Sequence, residues 1–208
     1  MLTLIASLIC ITLHELSHGF VAWKLGDDTA KGLGRLTLNP LKHLDITGFI
    51  MMLVFQVGWA KPVPINMYNF KNPKRGMAVS ALAGPVGNIL LSMFFLVLYG
   101  FLFIPLCDST FGLYILEMIQ TAAKMGIGLA VFNLIPVPPL DGSKVLFSII
   151  GNSTYHKLMR YEKYGVLIML VLIWSGLIGR PLSNAVSFIF EKFFIIAEIS
   201  YYLLLKII

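Results

Sequence analysis

Apolar residues in this chain fall into long runs separated by short basic stretches, not into the alternation of a half-buried sheet. The first run, Leu2 to Trp23, would be about 33 Å long as a helix, enough to cross a hydrocarbon core of ~30 Å. Runs over about 77–104, 111–134, 164–178 and 183–207 predict four more spans, though the last carries Glu191, Lys192 and Glu198 and so either spans or lies along the interface. Between the first two spans, the run Ile46 to Val57 is too short to cross and predicts a re-entrant or interfacial piece within about 46–66. The expected fold class is an all-α multi-span membrane protein, with residues 1–208 forming one integral-membrane domain.

Composition agrees. Hydrophobic residues make up 58% of the chain and charged residues 12%, against about 25% charged residues in soluble domains. Too little charge is available to cover a water-facing surface. A soluble enzyme, a disordered segment and a nucleic-acid-binding domain are therefore excluded, and the lipid bilayer is the expected surrounding.

The net charge of +6 is informative mainly through where it falls. Twelve basic residues occupy alternate loops: Lys24, Lys31, Arg35, Lys42, Lys61, Lys71, Lys74, Arg75, Lys144, Lys157, Arg160 and Lys163. The turn near Asp108 has none, and the one near Pro181 has only Arg180. By the positive-inside rule the basic loops face the cytoplasm and the N-terminus lies outside, in a multi-pass protein of the cell membrane. Cys10 and Cys107 offer no disulfide framework.

Inside the first span stands His14-Glu15-Leu16-Ser17-His18. Residues four apart share a helix face, so both imidazoles can reach one metal ion, with Glu15 beside them as a general base. With four histidines in the chain, roughly 0.002 such matches are expected by chance. Ionisable residues within a span are costly and mark function. Catalytic zinc usually takes three protein ligands. Cys10, one turn before His14, is a candidate third, but three ligands in line on a straight helix cannot enclose an ion. Asp141 is the better candidate. It follows Asn133-Leu134-Ile135-Pro136-Val137-Pro138-Pro139-Leu140, whose prolines must break the third span at membrane depth, where irregular backbone lines protein or a wet cavity. Asp141 also suits the N-cap of a helix starting near Ser143.

These residues resemble the site-2 protease family of intramembrane zinc metalloproteases, in its minimal prokaryotic branch without inserted domains. The resemblance is carried by His14–His18, Gly34-Arg35-Leu36-Thr37-Leu38-Asn39-Pro40, Gly58-Trp59-Ala60-Lys61-Pro62-Val63-Pro64, Ala83-Gly84-Pro85-Val86-Gly87-Asn88 and Asn133 to Gly142. It implies His14, His18 and Asp141 as ligands of one zinc ion in the helical core, with Glu15 as the catalytic acid/base. It also implies a polar role near the site for Asn88 and a small membrane-associated β-hairpin or sheet between the first two spans.

The function so expected is hydrolysis of peptide bonds in or near transmembrane segments of membrane-protein substrates, as in regulated intramembrane proteolysis. Asn88 would hydrogen-bond the developing oxyanion or the substrate backbone, or else a neighbouring helix. The stretch from Val57 to Ile65 is a candidate edge strand for an extended substrate. His43 lacks metal spacing and reads as structural. Two alternatives stand beside this reading: a membrane metal-ion transporter using the histidine pair as a transit site, and a different membrane zinc peptidase. No internal repeat supports the first, and the proline-rich Asp141 segment weighs against the second.

Overall fold

A computed structural model describes residues 2–48, 60–150 and 164–207. Among these residues the regular elements are helical: α1 (Leu2–Lys24), α2 (Thr29–Gly32), α3 (Pro73–Leu106), α4 (Thr110–Asn133), α5 (Asp141–Ile149), α6 (Gly165–Trp174) and α7 (Gly179–Leu205). Three of them are long and apolar enough to cross a membrane: α1 from Thr3, α3 and α4. They match the first three expected spans. The fourth and fifth expected spans coincide with α6 and α7, of 10 and 27 residues. α3 has few buried positions and presents Val79, Leu82, Val86, Leu90 and Phe94 outward. A soluble surface would not carry so continuous an apolar face, and this one suits lipid.

The chain divides into two compact units. One comprises Met1–Cys10, Asn88–Phe132 and Leu167–Ile208. Its core is Leu96 of α3, Ala123 of α4 and Ala197 of α7, surrounded by Phe95, Tyr99, Phe190, Phe193, Phe194 and Ile196. Small residues let these helices approach. A Cβ on Gly100 would lie 2.2 Å from the Ala197 carbonyl oxygen, and one on Gly126 would lie 2.3 Å from Ser92 Oγ.

The second unit comprises Ile11–Gly87 and Asn133–Val166. Its connection from α1 to α3 is tied down by Asp27, which is fully buried. The Asp27 carboxylate accepts hydrogen bonds from the Thr29 amide and hydroxyl, the Asn66 amide and the Asn69 side chain. Burial alone would raise the pKa of this carboxyl, but the four donors outweigh it and hold the group below the usual carboxylate range.

The expected β-hairpin is not seen among the described residues. Among the described residues there is no strand, only an isolated antiparallel bridge between Leu44 and Ala60; residues 49–59 of the expected re-entrant piece lie outside them. Local chemistry explains why no ladder runs on from residue 60. Pro62 and Pro64 have no N–H to donate. The Lys61 amide donates to the His43 carbonyl at 2.9 Å, and the Val63 amide donates to a side chain, Glu15 Oε2, at 2.8 Å. Residues 61–64 therefore offer no free N–H to an added strand, which counts against a substrate pairing with them through backbone donors.

Candidate metal centre

His14 and His18 stand one turn apart on α1, with their Nε2 atoms 3.1 Å from each other. Asp141, the first residue of α5, places Oδ2 3.1 Å from His14 Nε2 and 3.0 Å from His18 Nε2. All three side chains are buried. Three ligand atoms set tetrahedrally about a zinc ion at roughly 2.05 Å would be about 3.3 Å apart, so this triangle of donors is close to the right size.

The protons point the same way. His18 Nδ1 lies 2.7 Å from the Ser80 backbone carbonyl, which can only accept, so Nδ1 carries the hydrogen. In the neutral ring Nε2 then presents a lone pair, aimed at a carboxylate oxygen and a second imidazole nitrogen. A cation reconciles such convergence, and the donor set of two imidazoles and one carboxylate suits zinc.

The segment before α5 turns sharply enough that a Cβ on Gly142 would lie 2.2 Å from the Leu134 carbonyl oxygen. Asp141 does not act as an N-cap. Leu140 holds that position without a side-chain bond, while the Asp141 oxygens face the histidines and Lys144. Lys144 Nζ lies 3.1 Å from Oδ1. Burial opposes the Asp141 charge, and the Lys144 ammonium beside Oδ1 favours it.

α3 lies hard against the pair of rings. A Cβ on Gly84 would be 2.4 Å from His18 Nε2 and 2.6 Å from His14 Cε1, and one on Gly87 would be 2.3 Å from Ser17 Oγ. No bulkier residue fits at either position without displacement. Glu15, next to His14 and buried, is anchored by the Val63 amide.

The structure thus brings His14, His18 and Asp141 together, with Glu15 in the same unit. Asn88 is fully buried on α3, one residue beyond that unit's boundary. Cys10 is no part of the cluster: its thiol donates to the Ala122 carbonyl at 3.5 Å. His43 is fully buried, with Nε2 2.9 Å from the Thr37 carbonyl. The Ser80 carbonyl, the Val63 amide and Lys144 were missed from sequence. Only Lys144 left a side-chain signal, and it read as topological charge.

The helices and this site define a protein of membrane type with a buried cluster of two imidazoles and a carboxylate that could hold a metal ion. Comparison with known proteins gives the family. The model of peptidase family M50 matches residues 104–176, a range that includes Asp141. YwhC of Bacillus subtilis, provisionally named a zinc metalloprotease, is 39% identical over 192 residues, covering 87% of this chain and 85% of that protein. Rip2 of Mycolicibacterium smegmatis, provisionally named likewise, is 29% identical, covering 88% of this chain and 71% of its own. The zinc metalloprotease RasP of Bacillus licheniformis is 25% identical over 75% of this chain but only 35% of RasP. No solved structure matches. The chain belongs to peptidase family M50.

Proposed function

We propose that this chain cleaves peptide bonds in or near the transmembrane segments of membrane-protein substrates, the chemistry of regulated intramembrane proteolysis. As a family member it is a zinc metalloprotease, and His14, His18 and Asp141 would hold the zinc ion. The observation that carries the reading is the convergence of those three ligand atoms, two of them from a helix apolar enough to cross a membrane, with Glu15 adjacent.

When bound, zinc supplies Lewis-acid polarisation of the scissile carbonyl and makes water a nucleophile at neutral pH. The carboxylate of Glu15 takes the proton from the attacking water and returns it to the leaving amine. Its bond from the Val63 amide occupies Oε2 and leaves Oε1 for that exchange. The Ser80 carbonyl fixes the His18 tautomer. The N-terminus lies outside and the basic loops in the cytoplasm.

The test is cleavage of a model transmembrane substrate by the purified, zinc-loaded chain in detergent. Glu15→Gln should keep zinc and lose cleavage, by at least 100-fold or so. Asp141→Asn should lose zinc affinity. Proteolysis at the wild-type rate by the Glu15 variant would falsify the mechanism, and unchanged zinc affinity in the Asp141 variant would remove that ligand.

A further inference from the structure

Arg35 is buried, at 7% exposure, yet among the described residues no carboxylate lies within 4.0 Å of it. A desolvated cation without an acid partner is costly, so what it does bind is informative. Its Nη2 donates to the Lys61 carbonyl at 2.7 Å and reaches the Pro62 carbonyl at 3.4 Å. The next residue, Val63, donates its amide to Glu15 Oε2 at 2.8 Å. Lys61 is held from the other side by the His43 carbonyl. The guanidinium and the glutamate therefore grip consecutive peptide units of one short strap.

We infer that Arg35 is a positioning residue for catalysis, acting through the 61–63 strap to set the Val63 amide that aims the Glu15 carboxylate. The inference rests on the reading of Glu15 as the acid/base. Three features favour it over a purely architectural role. Pro62 and Pro64 flank Val63, so no neighbouring amide can replace its N–H. The carboxylate of Glu15 has a backbone donor, which cannot adapt as a side chain would, so its aim follows the strap. And one Arg35 nitrogen, Nη2, reaches the carbonyls of both residues before Val63, held in a planar guanidinium whose geometry a lysine ammonium does not reproduce.

Arg35→Lys keeps the charge and gives up the planar guanidinium that carries Nη2. The variant, zinc-loaded in detergent, should show kcat reduced roughly 10- to 100-fold with KM within about twofold and zinc content unchanged, because a shift of ~1 Å in a catalytic group costs on that scale. Val63→Pro removes the linking donor itself, and should lower kcat similarly. If both substitutions act through one bond, the double variant should be no more than about twofold worse than either alone, as coupled residues behave. Independent effects would multiply. Hydrogen exchange of the Val63 amide reads the strap without any activity. It should be at least about tenfold faster in Arg35→Lys, while α1 keeps its protection. Arg35→Gln serves for the same measurements if the lysine variant does not fold.

A wild-type kcat in Arg35→Lys, multiplicative losses in the double variant, or unchanged Val63 exchange would each overturn the inference. Glu15→Gln run alongside separates the two failures. If that variant cleaves, the acid/base reading is lost. If it is inactive while Arg35→Lys is fully active, only the role of Arg35 is lost.

Discussion

Replacing Gly84 with alanine adds one methyl group, and the structure puts that carbon 2.4 Å from His18 Nε2 and 2.6 Å from His14 Cε1. An ordinary contact between such atoms needs about 3.5 Å, so roughly 1 Å must be found somewhere. The His18 ring cannot swing aside freely, because Nδ1 is bonded to the carbonyl of Ser80, one turn earlier on the same helix as Gly84. Either the imidazoles leave the triangle they form with Asp141, or α3 moves back from α1. Overpacking of this kind costs about 1–3 kcal/mol, and displaced ligand orientation typically weakens a metal site 10- to 100-fold. Gly84→Ala should therefore bind zinc roughly 10- to 100-fold more weakly in a chelator competition and lose proteolysis at limiting zinc. Gly128→Ala is the control. It lies within α4 with nothing within 4 Å of the added carbon, so it should be neutral or stabilising by up to about 1 kcal/mol. A Gly84→Ala chain with wild-type zinc affinity and wild-type cleavage would refute the close packing of α3 on the histidines.

Two further substitutions test the surroundings of the site. The Asp27 carboxyl is held below its usual range by its four donors, so its stabilisation is complete above the unfolded pKa of about 3.9 and fades as pH falls through the lower folded value. Asp27→Asn should lower Tm in detergent at pH 7, with the gap to wild type closing on acidification; a gap that widened at low pH would reverse the sign of this reasoning. Cys10→Ala should leave zinc affinity within about twofold of wild type, because the thiol bonds the Ala122 carbonyl and takes no part in the metal cluster. Loss of zinc in that variant would return Cys10 to the ligand set.

How much was legible in the sequence depends on where the information resides. Long apolar runs set α1, α3 and α4 to within a few residues, except that α3 begins at Pro73 before its apolar run, through Lys74 and Arg75. The histidines and Glu15 were legible because a helix converts spacing directly into a shared face. Asp141 could be reached only through the proline-broken segment and the family resemblance, since nothing local separates a ligand from an N-cap. In the structure the Asp141 carboxylate faces both imidazoles and Lys144 and does not cap α5. The β-hairpin is not seen among the described residues, and residues 49–59 lie outside them. The apolar segment with its prolines looked like an edge, but its amides at 61 and 63 are consumed by a carbonyl and a carboxylate. Arg35 was counted as one basic residue in a loop, because burial against backbone carbonyls leaves no trace in composition.

What stayed hidden in the sequence has a cause that bears on how such a site can exist in a membrane at all. At the centre of a membrane helix a charged side chain costs about 2.5–3.5 kcal/mol even on the lenient insertion scale. His14, Glu15 and His18 fall within five consecutive residues of α1. Their partners come largely from the backbone: the Ser80 carbonyl for His18 and the Val63 amide for Glu15. Lys144 and the histidines serve Asp141. Backbone groups suit the task because they carry no net charge of their own to bury and their positions are fixed by helix or strap, so the reactive groups are solvated by fixed dipoles in place of water. Every residue type has those groups except for proline's missing N–H. A sequence can therefore announce the groups that do chemistry while staying silent about the groups that hold them. Gly84, Gly87 and the prolines around Val63 are the exceptions, visible because they record where a side chain or an N–H had to be absent.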